Sequence, residues 1–391
     1  MRRDVLAALA AALCGVAWGH ASLPAFAALA AVVPLLWGMA GNRWTAGAVA
    51  LAYYLAASRG LPFGVGIFFA ESAPAWFGWA LWLAAGAVNA AIWTAAWHAD
   101  TRRRAVGAVV ALAVTAIPPV GVIGWVNPLT AAGWLFPGLG FIGLAFLAGL
   151  AAALAVKRWP VVGMLAGAAV VANVCAFAWP KPHAPQLAAW SAQDTQFQRL
   201  QSGSPGQLNV RLQLVVDLSE RLQAGQVLVL PETLLPADKP AVSFAWLMLG
   251  DVGEQLQAKG AMVLVGTELA KPGQATENVL LPLGEPGAKP LVQRVPVPIG
   301  MWRPWDKETF KADLLGSGVA QLRGLKVAYS ICYEQLLVFP VLVSMAHRPD
   351  VLVGAANDWW ARDTSIPAIQ GQALDAWGRL FGVPVLRATN L

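Results

Sequence analysis

The 391-residue sequence predicts a multi-span α-helical membrane domain joined to an α/β layered domain. Three observations carry that expectation. Hydrophobic residues make up 58% of the chain and charged residues 12%, with 19 Trp, a balance far from that of a water-soluble enzyme. The skew is uneven, because charges are scarce between residues 4 and 179 and apolar runs follow one another there. From about residue 180 onward, short apolar runs bounded by Gly and Pro alternate with amphipathic stretches, the pattern of strands and helices in turn. The expected organisation is a membrane domain of about seven transmembrane helices over 1–179, a linker over 180–204 and the second domain over 205–391.

The apolar segments fall at roughly 4–19, 22–40, 44–58, 74–97, 105–126, 136–156 and 160–179. Crossing a bilayer takes about 20 such residues. Arg2 and Arg3 before the first run also fit a signal peptide, but apolar segments follow at once, so the run is expected to stay as a span. With seven spans starting inside, Arg2, Arg3, Arg43, Arg102–Arg104 and Lys157-Arg158 all fall on the cytoplasmic side, and the opposite loops hold only Arg59. The expected location is therefore the bacterial inner (cytoplasmic) membrane, multi-pass, with residues 180–391 on the periplasmic side. The net charge of +6 belongs to this topology, and no direct nucleic acid contact is expected. The loop "SRGLPFGVGIFFAES" (58–72), with Arg59 and Glu71, reads either as a linker with interfacial aromatics or as a re-entrant or surface-lying segment.

In the second domain, "PKPHAPQLAAW" (180–190) reads as linker and "LNVRLQLVVDLSERL" as a strand leading into a helix. "GQVLVLPET" and "AMVLVGTEL" read as strands flanking a helix near 248–259, followed by a hairpin from "ENVLLPL". "LKVAYSICYE" is a strand leading to helix 335–346, "DVLVGAAND" a strand leading to helix 366–381, and "VPVLRAT" a last strand. Functional groups gather past the carboxyl ends of such strands. Glu232, Cys332 and Asn357-Asp358 stand at those positions. A Cys is a nucleophile when a neighbouring base removes its proton, and Glu232 is such a base. Equally, Cys332 reads as a small buried hydrophobe. His20, His98, His183 and His347 lie in membrane edges, helix or linker, so no Cys–His pair is expected. Cys14, Cys175 and Cys332 form no pairing framework, and neither a metal site nor a cofactor is indicated.

Taken together, "LVLPETLLP", "TENVLL", "ICYEQ", "AANDWWARDTSIPAIQ" and "GVPVLRATN" resemble motifs of the nitrilase (carbon–nitrogen hydrolase) superfamily, over about 205–390. The resemblance is to its membrane branch, apolipoprotein N-acyltransferase. It implies an α-β-β-α layered domain with Glu232 as catalytic base, Cys332 as nucleophile and Glu334 as its accompanying carboxylate. It also implies Asn278, Tyr333, Asn357, Asp358 and Trp359 around the substrate. The acyltransferases carry a Lys in the segment that here reads "VQRVPVPIGMWRPW". Aligned on Pro298-Ile299-Gly300, the Lys position is Gln293, Arg294 stands beside it, and the Glu after Gly becomes Met301. No Lys lies nearer than Lys289 or Lys307, so Arg294 is assigned as the cation that stabilises an oxyanion.

"YYLAASRGLP" (53–62) and "PVPIGMWRPW" (296–305) resemble the conjugal transfer protein TraB family, membrane proteins with a nitrilase-like domain. That resemblance implies a role in plasmid conjugation. The joint presence of Glu232, Cys332 and Glu334 leads to the expectation of a Cys-nucleophile amidase or N-acyltransferase that works on a membrane-associated substrate through a thioester. Its partners would be a membrane lipid or lipid-linked acyl donor, and pilin or other conjugation proteins. Two alternatives stay open: a non-catalytic scaffold with a degenerate nitrilase fold, and an authentic apolipoprotein N-acyltransferase.

Overall fold

The computed structural model describes residues 2–20, 22–70, 73–199, 204–237, 243–270, 274–306 and 308–391. Glu71 and Lys307, and residues 200–203 of the expected linker, lie outside the described residues. By packing, the chain divides into Met1–Pro182 with Leu336–Phe339 and Trp360–Val383, and His183–Gln335 with Pro340–Trp359 and Pro384–Leu391. The contiguous ranges expected from the sequence differ from this division. A stretch of the C-terminal half, 360–383, packs with the first unit.

The first unit is helical: α1 (Arg2–Val16), α2 (Val33–Gly38), α3 (Arg43–Ala57), α4 (Leu61–Phe68), α5 (Phe77–Ala96), α6 (Thr101–Val114), α7 (Ala132–Leu135), α8 (Gly140–Ala155) and α9 (Trp159–Ala178), plus Ile366–Phe381, the last helix of the chain, α13. Starts are set by side-chain caps where polar residues allow it. Asn42 accepts from the Thr45 N–H at 3.0 Å, and Asp100 from the Arg103 N–H at 2.8 Å. Among the described residues, α5 and α9 are long and apolar enough to cross a membrane, and a third span exists if the pair 128–135 and 140–155, bent by 118°, counts as one. Seven full-length spans are not seen among the described residues. At 15 residues, α1 and α3 are each about 22 Å long, short of a hydrocarbon core of about 30 Å. The segment 22–40 splits into a 3-10 helix (Pro24–Val32) and α2, with Pro34 in its first turn. The loop 58–72 contains a short helix, α4.

Several buried aromatic side chains inside this unit pair their polar atoms. The Trp18 indole donates to the Tyr53 hydroxyl at 3.1 Å, which donates on to the Val126 carbonyl at 2.6 Å, and the Trp93 indole donates to Tyr54 at 3.2 Å. Its outer surface is apolar, with Leu13, Ile142, Met164, Val170 and Phe177 all exposed. The final helix α13 is held on several sides. Gln372 accepts from the Gly19 N–H at 2.9 Å and donates to the His20 carbonyl at 2.8 Å, while the Arg379 guanidinium lies 4.6 Å from the Trp134 ring centre. A Cβ on Gly133 would stand 1.9 Å from the Ala376 carbonyl oxygen, so only Gly permits that approach.

The second unit contains two sheets. Strands β1 (Trp190–Ala192), β2 (Val227–Val229), β3 (Met262–Leu269), β4 (Glu277–Leu283) and β5 (Leu291–Val292) lie in that order, the first three parallel and the rest antiparallel. The other sheet runs β6 (Val319–Leu322), β7 (Leu325–Ile331), β8 (Val351–Asn357) and β9 (Val385–Asn390), with β7, β8 and β9 parallel. Their facing sides form one core in which Val227, Val229, Met262 and Leu264 meet Val327, Ile331, Val351 and Val353. Helices α10 (Pro205–Arg221) and α11 (Ser243–Lys259) cover the outer side of the first sheet through Leu212, Val215, Leu249 and Leu256. A short helix, α12 (Phe339–Ala346), precedes β8.

Two local expectations are corrected. "LNVRLQLVVDLSERL" is helix as far as Arg221, with no strand before it, because Leu208, Leu212 and Val215 fall on one helical face against the first sheet. Part of the expected linker, Trp190–Ala192, pairs with β2 as an edge strand. Gly133→Ala is expected to destabilise the first unit by about 1–3 kcal/mol through overpacking against α13. Thermal unfolding of detergent-solubilised protein, compared with Gly163→Ala at an open position, measures it.

Candidate active site

The turn after β2 carries Glu232, and its approach to β3 is close. A Cβ at Gly266 would stand 2.2 Å from the Pro231 carbonyl oxygen and 2.5 Å from the Glu232 Cα. The turn after β7 carries Cys332, which opens a 3-10 helix over Cys332–Leu336. Cys332 has φ +53° and Thr233, just after Glu232, has φ +47°. Both residues adopt the left-handed conformation that side chains disfavour, a cost found where a fold fixes a functional group.

These turns bring Glu232 and Cys332 together. The Cys332 thiol hydrogen-bonds the Glu232 carboxyl group. The same carboxyl group accepts from the Asn278 amide on β4 at 2.5 Å and from the Asn357 backbone N–H at the end of β8 at 2.9 Å. Glu232 is 4% exposed, and burial pushes its pKa up to about 7 against the pull of these hydrogen bonds. Burial also pushes the Cys332 thiol well above its usual range, with the charges of Glu232 and Asp358 adding to the effect. The Tyr333 backbone N–H donates to the sulfur and works the other way.

Gln293, at the Lys position of the resembled motif, sits in this cluster. Its side-chain oxygen accepts from Asn278 at 2.9 Å and its amide donates to the Ile331 carbonyl at 2.9 Å. Arg294 is directed elsewhere. Its guanidinium donates to Glu334 at 3.1 Å, to the carbonyls of Gly316, Tyr329 and Pro340 and to Ser344. Glu334 is fully buried and also accepts from the backbone N–H groups of Arg294, Val295 and Ile331. The expected oxyanion role of Arg294 is therefore corrected. Successive residues of an extended segment face opposite ways, so Gln293 enters the cluster while Arg294 joins Glu334 in tying the segment 293–295 to the Cys332 turn.

Of the other expected residues, Asp358 is fully buried near Cys332, and its N–H donates to the Asn390 carbonyl at 2.8 Å. Asn357 receives a side-chain hydrogen bond from Asn390 at 2.7 Å. Tyr333 is buried beside the sulfur. Trp359 is half-buried, and the Arg199 guanidinium stands 5.8 Å from its ring centre. Two contributors were absent from the expected site. Gln293 was legible as the aligned position. Asn390, in "RATN", binds Asn357, Thr195 and Phe197, so it fixes the strand end that presents the Asn357 N–H to Glu232.

Two outcomes follow from this geometry. Glu334→Gln leaves the buried Arg294 without its counter-ion and is expected to cost about 3–5 kcal/mol in urea unfolding. Glu232 holds its proton to higher pH when folded, so its stabilising contribution is complete below pH 4.5 and is lost as pH rises through about 7. Relative to Glu232→Gln, the native protein is thus expected to lose on the order of 3 kcal/mol between pH 5 and 8. Denaturation curves at the two pH values measure the difference.

No family model matches the chain. It is 35% identical over 413 residues to the conjugal transfer protein TraB of Agrobacterium fabrum, an alignment that covers 100% of this chain and 93% of the relative. It is 33% identical over 405 residues to the probable conjugal transfer protein TraB of Sinorhizobium fredii, with both chains covered completely. Among solved structures, it is similar to a mutant of Nesterenkonia AN1 amidase from the nitrilase superfamily. The TM-score is 0.36, at 16% identity over 51% of this chain and 75% of the other. With whole-length identity above 30% to both relatives, the chain belongs to the conjugal transfer protein TraB family.

Proposed function

We propose that this chain is a membrane-bound, Cys-nucleophile amidase or N-acyltransferase of plasmid conjugal transfer. The observation that carries the reading is the buried hydrogen bond between Cys332 and Glu232 at the junction of two strained turns. Glu232 takes the thiol proton, the sulfur attacks an ester or amide carbonyl, and a thioester forms as the leaving group departs with the proton that Glu232 returns. An amine or water then attacks the thioester and frees the thiol. The oxyanion is met by backbone N–H groups of the 332–336 turn, since the Arg294 side chain is spent on Glu334 and its neighbours.

The membrane part of the reading rests on α5 and α9, on the apolar outer surface of the first unit and on the Lys and Arg bias of its loops. It places the protein in the bacterial inner membrane with the second unit on the periplasmic side. Its substrate is then a membrane-associated lipid or lipid-linked donor, with pilin or another conjugation protein as acceptor.

A second reading, a scaffold that retains the fold for protein contacts, is favoured by the neutral Gln293 at the cluster. Cys332→Ala separates the two. With protein levels matched by immunoblot, the catalytic reading expects transfer frequency to fall at least about a hundredfold, a loss typical of removing a nucleophile. Unchanged transfer overturns it. An acyl adduct on Cys332, trapped by mass spectrometry, overturns the scaffold.

A further inference from the structure

Helix α10 buries Arg211 together with Leu212, Val215 and Ser219, so a guanidinium stands among core positions. The usual occupant of such a place is a Leu or Met, because a cation taken out of water is costly unless hydrogen bonds replace its hydration. Arg211 is 3% exposed, and its hydrogen bonds go to the main chain. One terminal nitrogen donates to the Leu234 carbonyl at 3.1 Å and to the Thr233 carbonyl at 3.5 Å, and the other to the Gln198 carbonyl at 2.5 Å. The Phe197 ring centre lies 5.0 Å from the guanidinium carbon.

Both sides of this contact lead to Glu232. Thr233 and Leu234 are the two residues that follow it, and Thr233 has the left-handed φ of +47°. Beyond them the turn is tied to β3 instead, through the Leu235 N–H on the Gly266 carbonyl and the Thr267 hydroxyl on the Pro236 carbonyl. On the other side, the N–H and carbonyl of Phe197 both bond the Asn390 side chain. Asn390 also donates to the Asn357 side chain, and the Asn357 N–H donates to Glu232. Arg211 thus draws together the backbone that carries the carboxyl group and the backbone that orients it.

We propose that Arg211 is a positioning residue, a buried clamp that holds the Glu232 turn in its left-handed bend and so keeps the carboxyl group on the Cys332 thiol. It acts through the main chain of 233–234 and not on the reacting atoms. The inference rests on the nucleophile reading of Cys332 and adds what fixes its base.

Iodoacetamide labelling of Cys332 between pH 5 and 10, followed by peptide mass spectrometry on the full-length protein, tests it. With Glu232 in place as base, the rate is expected to rise through a midpoint near 7, where that carboxyl group loses its proton. The other charges acting on the pair, Glu268 on Glu232 and Asp358 on Cys332, are the same in every variant. Arg211→Met keeps the length of the side chain and removes its hydrogen bonds. It is expected to move the midpoint upward by at least about one pH unit, toward that of a thiol without a base. Arg211→Lys still donates to a carbonyl and is expected to move it less. Thr233→Gly, added to either variant, is expected to restore the midpoint most of the way, because Gly takes a φ of +47° without strain. Leu212→Ala truncates the core beside Arg211 and is expected to leave the midpoint in place. An unchanged midpoint in Arg211→Met, an equal shift in Leu212→Ala, or no restoration by Thr233→Gly overturns the inference alone. Should Arg211→Met fail to fold, Arg211→Lys with and without Thr233→Gly decides by the same criteria. Failure of Cys332 to label in the native protein at any pH, while the denatured protein labels, overturns the nucleophile reading and the inference with it.

Discussion

A carboxyl group removed from water has to be compensated by hydrogen bonds or give up its charge. At Glu232 the second unit uses both responses. Its oxygens are met by an amide from β4, a backbone N–H from the end of β8 and the thiol from the end of β7, while burial still raises its pKa to about 7. Four chain segments far apart in sequence must therefore end at the right height. The facing cores of the two sheets fix those heights, because each of these strands is buried by its neighbours and cannot slip without moving its whole apolar set.

The nearby ion pair has a different task. Arg294 and Glu334 are 3% and 0% exposed, and Glu334 spends its oxygens on backbone N–H groups from both chain segments that it joins. Pairing makes that charge tolerable in the interior, and the pair's geometry holds the Cys332 turn against the segment that carries Gln293. The charge neighbours that matter to the sulfur are acidic, so the thiol rests in its protonated form.

Much of this site was legible in the sequence. Short Val- and Leu-rich runs bounded by Gly and Pro marked β2, β7 and β8, and the chemistry-bearing residues stood at their ends. Which of two adjacent residues faces inward was not legible, since Gln293 and Arg294 differ only by strand alternation, and a shift of one exchanges their roles. Apolar composition overstated the spans because it does not register the break at Pro24–Val32 or the short lengths of α1 and α3. In "LNVRLQLVV" the apolar positions satisfy both a strand and a helix period, and tertiary packing decides between them.

The helix α13 lies between two strands of the second unit in sequence, yet packs within the first. Its Ile369, Leu374, Trp377 and Leu380 are all buried. During synthesis, α1 to α9 leave the ribosome long before residues 366–381 exist, so the first unit must persist as an unfinished helical assembly until translation is nearly over. A fragment cut after residue 182 would keep that unfinished state, and a fragment begun at 183 would carry α13 with its apolar faces uncovered. The protein is thus two units in space and a single unit for expression, proteolysis and assembly.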